Sequence, residues 1–407
     1  MGGERLIIHM QRNFMNMPMF EEKPASVSRV AIVAGELSGE LYGAHLIKAL
    51  HVLNPQISAS GIGGQRMREA GVKLLFDMDK LAVVGVWEVL AQAGAIVRAY
   101  FSMRRLLVNE PPDLLILIDY PDFNLRLARV AKKQNIKVLY YISPQVWAWR
   151  GGRVKKIAQL VDKMAVILPF EVGIYQQAGL DVEYVGHPLL EVVKTKFSAD
   201  EAYRRYGLEP DRPVVGLLPG SRQNEIKFLL EVLLESARLV KAELPQVQFI
   251  MPVATSVDYR QIEARIARSG LAIKLALGET YEVMNVSSLL VTASGTATLE
   301  AALLGVPMVV VYKLSWLSYV LGRLLINTPY ISLVNIVANK RIIPELIQYQ
   351  ATPEQIASCV LKLLRNPQDL LNIRRELRVI RNRLGEKGAS VRTAQLAMGL
   401  IGENQKI

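Results

Sequence analysis

Short, β-branched apolar runs recur along this chain, each followed by a turn of glycine, proline or polar residues and then by a stretch of helical periodicity. RVAIVAG (29–35), LLILID (114–119), KVLYYIS (137–143) and KMAVILP (163–169) follow this pattern in the first half. VVGLLPGS (214–221), VQFIMPV (247–253), SSLLVTAS (287–294) and PMVVVYKL (307–314) follow it in the second. Runs this uniformly apolar are buried on both faces, which is the condition of a parallel sheet covered by crossover helices. The alternation therefore predicts an α/β fold built from doubly wound sheets. At 407 residues and 51% hydrophobic content, the chain has enough apolar side chains for two cores.

The alternation breaks once, where VEYVGHPLLEVV (182–193) gives way to the polar TKFSADEAYRRYGLEPDRP (195–213). We expect the domains to join there: a first domain over 29–190 and a second over 191–370. Residues 371–407 are then terminal helices that cross back to the first domain or reach a partner subunit. Residues 1–28 lack the apolar segment and small-residue cleavage site of a secretory signal and read as a loosely attached extension.

Composition excludes several function classes. Cys359 is the only cysteine, so an intramolecular disulfide and a multi-cysteine metal site are ruled out, and a reducing cytoplasm fits. A net charge of +12 favours an anionic partner: nucleic acid, anionic lipid or a phosphorylated substrate. No uninterrupted stretch reaches the roughly 18–20 apolar residues of a membrane span. The segment LAVVGVWEVLAQAGAIVRAYFSMRRLL (81–107) instead reads as an amphipathic helix, with Trp87, Val89, Leu90, Ile96, Tyr100, Phe101 and Met103 apolar and Arg104 and Arg105 near its end. Either it packs into an α/β core or it lies on anionic lipid.

In open parallel sheets, ligands bind beyond the carboxyl ends of the strands, so chemistry is sought there. Four such ends stand out. VAGELSGELYG (33–43) spaces Gly35, Gly39 and Gly43 every fourth residue, either for helix–sheet packing or for a ligand beside Glu36 and Ser38. It is not the G-x-G-x-x-G of a dinucleotide site. LLILIDYPDFN (114–124) delivers Asp119 from a buried strand as a candidate general base, while Asp122 suits a cap or turn at the next helix. VVGLLPGSRQNEI (214–226) places Gly220, Ser221 and Arg222 at a helix start, as a diphosphate cradle or as a turn in which Arg222 pairs with Glu225. Finally, Ser294, Gly295 and Thr296 open a small-residue helix that carries Glu300. That arrangement suits a nucleotide, with phosphate at the amides and ribose at the carboxylate, unless Glu300 simply faces solvent.

The motifs AGELSGE, GIGG-x-x-M, LAVVGVWEVL, IDYPDFN, YYISPQVWAWR, LPFE, YVGHP, LLPGSR-x-x-E, ASGTATLE and ISLVN, in this order over roughly residues 29–400, resemble the lipid-A-disaccharide synthase family. The resemblance implies a GT-B architecture: two doubly wound Rossmann-like domains facing across a cleft, with no metal or other cofactor. It implies transfer of 2,3-diacylglucosamine from UDP-2,3-diacylglucosamine to the 6-hydroxyl of 2,3-diacylglucosamine 1-phosphate, with β-1,6 linkage and inversion. It further implies Asp119 as general base, Arg222 as a donor-phosphate contact, Glu300 as the ribose carboxylate and Asn335 as a further site residue. A peripheral location on the cytoplasmic face of the inner membrane, contact with anionic lipid and no nucleic-acid partner accompany this reading; a homodimer is compatible with it. The family's usual Ser-Gly-Asp is here Ser38-Gly39-Glu40.

Two further features leave alternatives open. His187 in YVGHP suits a hinge turn better than catalysis. Trp147 and Trp149, followed by Arg150, Arg153, Lys155 and Lys156, suit either a phosphate contact or a solvated charged face. The rival classes are another nucleotide-sugar enzyme such as an epimerase, a nucleic-acid binder, and a non-enzymatic membrane scaffold.

Overall fold

The structure is a computed structural model that describes residues 27–78, 86–145, 152–314 and 329–404, with side chains in the helix starting at Val86 described from Gly94 onward. Segments 81–85 and 146–151, with Trp147, Trp149 and Arg150, lie outside the described residues, as do the side chains of Trp87, Val89 and Leu90. Two parallel sheets organise the chain.

The first contains β1 (Arg29–Ala34), β2 (Ser58–Gly63), β3 (Lys73–Asp77), β4 (Leu114–Ile118), β5 (Lys137–Tyr141), β6 (Lys163–Val166) and β7 (Val182–Tyr184), in the order β3-β2-β1-β4-β5-β6-β7. The second contains β8 (Val214–Leu218), β9 (Gln248–Val253), β10 (Ile273–Leu277), β11 (Leu289–Ala293), β12 (Met308–Tyr312) and β13 (Glu345–Ile347), in the order β10-β9-β8-β11-β12-β13. All described pairings are parallel.

Burial on both faces explains the uniform strands. In β1 and β4, Val30, Ile32, Leu114, Ile116 and Ile118 enter one hydrophobic cluster, while Ala31, Val33, Leu115 and Leu117 enter the cluster on the opposite face. Period-2 alternation is invisible in sequence where both faces are dry. Edge strands β3 and β13 escape the apolar-run pattern: β3 is only partly buried, and β13 has three residues. The polar stretch after residue 195 also holds order: Ala199–Tyr206 is a helix whose Ser198 hydroxyl accepts from the Glu201 amide and whose Glu201 carboxylate accepts from the Ser198 amide.

The helix Val86–Asn109 divides its two faces between the readings offered for it. Ala95, Ala99, Met103 and Leu107, spaced by four, are buried against the first sheet. Val97 and Phe101, 51% and 56% exposed, point outward with Arg98, Arg104 and Arg105. No helix among the described residues is long and apolar enough to cross a membrane.

The chain crosses between the sheets twice. After β7, the buried His187 begins the first crossing; its imidazole Nδ1 accepts from the Leu189 amide at 3.2 Å, and its own amide donates to the Leu384 carbonyl at 2.9 Å. Full burial drives its pKa down to about 3, so it is a neutral turn-ordering residue. Helix Pro367–Arg383 packs on the second domain's helices Thr296–Leu303 and Leu333–Ala338. The chain then returns, and Ala389–Asn404 packs on helix Leu37–Leu53 and β5 of the first domain. Glu191 ties the crossings together, accepting from the amides of Gly388 and Ser390 at 3.0 and 3.1 Å and from the Ser390 hydroxyl at 2.9 Å.

Candidate active site

The carboxyl ends of β1, β4, β8 and β11 converge between the two sheets. Beyond β4, the backbone leaves the extended region abruptly: Asp119 and Tyr120 have φ of 46° and 45°. Consecutive left-handed residues that are not glycine cost on the order of 1–3 kcal/mol each. Pro121 then fixes the first turn of helix Pro121–Lys133. The Tyr120 ring lies over Gly35, where an added Cβ would fall 2.3 Å from the ring, so glycine at the end of β1 is required by this close approach.

Gly39 and Gly43 have a different use. A Cβ on Gly39 would touch Ile118, and one on Gly43 would touch Met67 and Ile118, so both serve helix–sheet packing and neither opens onto a ligand. Ser38, in the same helical turn, is half-buried. Glu40 is buried and accepts from the Arg66 amide at 2.7 Å, capping the short helix Gln65–Glu69.

Asp119 is, with Glu300, one of two perturbed carboxyls described in the cleft. Burial, and then the negative charge of Glu36, raise its pKa to about 6, against a weaker opposing hydrogen bond from the Tyr120 amide. Glu36 in turn meets the second domain, because its Oε2 accepts from Arg222 Nη2 at 3.2 Å. Asp119, Glu36 and Arg222 thus form one charged cluster bridging both sheets. The Glu36–Arg222 pair is largely solvent-exposed, and pairs of this kind contribute only about 0–1 kcal/mol, so the guanidinium is loosely held. Asp122 lies in the first turn of its helix, where a negative charge is favoured, and pairs with Arg153 at 2.7 Å rather than capping.

The helix start after β8 differs from the free cradle that its sequence suggests. The Glu225 carboxylate turns back and accepts from the amides of Ser221 and Arg222 at 3.0 and 3.2 Å, while Arg222 Nη1 reaches Glu225 at 3.4 Å. Gly220, at φ 110°, wraps around this carboxylate; a Cβ there would sit 2.2 Å from Glu225 Oε2. The amides of Ser221 and Arg222 are thus already occupied, while the Arg222 side chain reaches across to Glu36.

The second start is open. Among the described residues, the amides of Thr296 and Ala297 have no protein acceptor, and Gly295 is exposed with no atom near its missing Cβ. The Ser294 hydroxyl is used to hold the neighbouring loop through the Ile331 carbonyl at 3.2 Å. Glu300, one turn into the helix, does not face bulk solvent. Burial raises its pKa against an opposing hydrogen bond from the Tyr281 hydroxyl at 3.1 Å, and its charge reaches Tyr42 of the first domain.

Asn335 departs from the expectation for it. It is fully buried; its Oδ1 accepts from Ile342 and Ile343 amides and its Nδ2 donates to the Ile343 carbonyl and to Glu345. No atom is left for a substrate, and the residue shapes the loop beside Ser294 from below.

Tyr140 and Tyr281 come into this neighbourhood from outside the four strand-end segments, while Tyr42, Asn124 and Glu225 lie within them, Glu225 as the partner of Arg222 that the turn reading allowed. Among the described residues, no group of three or more histidine, cysteine or acidic side chains is placed to hold a metal ion.

Two α/β domains whose parallel strands end on a shared cleft define the fold class as the GT-B architecture. The fold matches a UDP-GlcNAc 2-epimerase of Neisseria meningitidis bound to UDP-GlcNAc, with TM-score 0.65 and 14% identity over 91% of this chain and 100% of that one. It also matches a sucrose-phosphate synthase of Thermosynechococcus elongatus, with TM-score 0.56 and 12% identity over 92% of this chain and 100% of that one. At such identities these likenesses establish the fold alone. The lipid-A-disaccharide synthetase family profile matches residues 30–398. A lipid-A-disaccharide synthase of Geobacter metallireducens is 50% identical over 93% of this chain and 98% of its own length, and one of Coxiella burnetii (strain Dugway 5J108-111) is 42% identical over 91% and 98%. The chain belongs to the lipid-A-disaccharide synthase family, the glycosyltransferases of lipid A biosynthesis.

Proposed function

We propose that the enzyme transfers 2,3-diacylglucosamine from UDP-2,3-diacylglucosamine to the 6-hydroxyl of 2,3-diacylglucosamine 1-phosphate, with inversion. The acceptor oxygen attacks the sugar's anomeric carbon, its proton passes to the Asp119 carboxylate, and the bond from that carbon to the diphosphate oxygen breaks to release UDP. Arg222 and the amides at Thr296 and Ala297 meet the growing charge on the diphosphate. Glu300 accepts from the ribose hydroxyls, with Tyr281 holding one of its oxygens. Gly220, Ser221 and Asn335 form the walls behind these contacts.

The observation that carries this reading is a buried aspartate with a raised pKa at the end of one sheet, beside a Glu36 that holds a loosely bound guanidinium from the other. The outward apolar and arginine-bearing face of helix Val86–Asn109 supports a peripheral position on anionic lipid, where acylated substrates reside. Incubation with the two acylated substrates and mass measurement of the product tests the reaction. A disaccharide 1-phosphate with release of UDP is expected, and failure to form it, or equal use of a deacylated donor, overturns the assignment.

A further inference from the structure

We infer that Asn124 and Tyr140 are positioning residues that grip the backbone carbonyl of Asp119 and so aim its carboxylate across the cleft. The inference rests on the proposed role of Asp119 as the base. Asp119 is the first residue past the sheet ladder: the β4–β5 register ends at Ile118 opposite Tyr141. Two side chains replace the missing partner strand. Asn124 Nδ2 donates to the Asp119 carbonyl at 2.7 Å and to the Ile118 carbonyl at 3.1 Å, and the Tyr140 hydroxyl donates to the same Asp119 carbonyl. Both side chains are completely buried.

A carbonyl oxygen has two lone pairs, and both are engaged here. With its carbonyl fixed and its φ held at 46°, Asp119 has only its side-chain rotamers left to choose. Helix initiation does not need this grip, because the Asn124 amide already bonds the Tyr120 carbonyl at 3.0 Å. Asn124 Oδ1 meanwhile finds no hydrogen-bond partner among the described residues. A buried amide with one end unsatisfied is costly as packing material, and its other end is committed to the turn that bears the base.

Tyr140→Phe removes one of the two bonds to Asp119 while preserving the ring, and Asn124→Ala removes the other. Each is expected to lower kcat about 10- to 100-fold with KM for both substrates changed less than about twofold, the pattern of a misaimed group rather than a lost binding contact. The deciding measurement repeats Tyr140→Phe in an Asp119→Asn background, scored by product formed in long incubations. There the further loss is expected to be under twofold, since nothing remains to be aimed. An unchanged kcat in folded Tyr140→Phe, or the same fold-loss with and without Asp119, overturns the inference. Thermal melting checks each variant, and if Asn124→Ala does not fold, Tyr140→Phe alone decides. Full activity of Asp119→Asn by itself would instead remove the base assignment on which the inference stands.

Discussion

The sharpest consequence of the site's electrostatics is a pH profile. As the proposed base, Asp119 works only as a carboxylate, and burial together with Glu36 raises its pKa to about 6. Near pH 7 about ten elevenths of the enzyme then carries the ionised base, and near pH 5 about one eleventh, so kcat/KM falls roughly tenfold over that interval. An aspartate with the ordinary pKa of about 3.9 would lose less than about a tenth of its activity over the same range. Initial rates of disaccharide formation at constant ionic strength separate the two cases. The Glu36→Gln variant sharpens the test: removing a nearby negative charge moves the acid limb to lower pH, yet leaves it above the ordinary value because burial is the larger cause. A flat profile between pH 5 and 7, or a limb that Glu36→Gln leaves in place, would refute the reasoning.

Other outcomes follow from the same geometry. Asp119→Asn is expected to lower kcat by about 10²- to 10⁴-fold while raising the melting temperature at pH 7. The native carboxyl has a raised folded pKa, so its ionisation destabilises the fold as pH climbs from about 4 through about 6; this cost is at most about 3 kcal/mol, lessened by solvent screening, and it vanishes toward pH 4. For His187 the folded pKa lies near 3, so its stabilising contribution is complete above about pH 6.5 and is lost as pH falls toward 3, by up to about 1.4 kcal/mol per pH unit. Urea midpoints from pH 7 to 4 should therefore fall less steeply in His187→Asn. Activity should survive dialysis against a chelator, since a guanidinium and oriented amides are assigned the charge stabilisation; loss on chelation with recovery on adding magnesium would contradict that assignment.

The sheets were legible because strands dry on both sides spell themselves as apolar runs, and the four strand ends were legible because topology alone brings them to one crevice. What stayed hidden depends on distant partners. Nothing in LLPGSRQNE tells whether Glu225 points outward or folds back onto the amides of Ser221 and Arg222. Glu300 reads as solvent-facing or ligand-facing until Tyr281 and the first domain's Tyr42 are seen beside it. Asn335, drawn into the site by resemblance, spends its whole amide on Glu345 and the chain around residues 342–343. The left-handed pair at 119–120 has no sequence signature of the kind glycine gives; in the fold, the Asp119 carbonyl within it is held by Asn124 and Tyr140.

The two interdomain passages are sewn side by side by Glu191, Ser390 and the backbone bond from His187 to Leu384. A door hung on adjacent pins swings along one arc and cannot slide or yaw. By that comparison the joint limits how the two halves can turn, so the facing of Glu36 and Arg222 across the cleft is restricted by the covalent path as well as by their own contact.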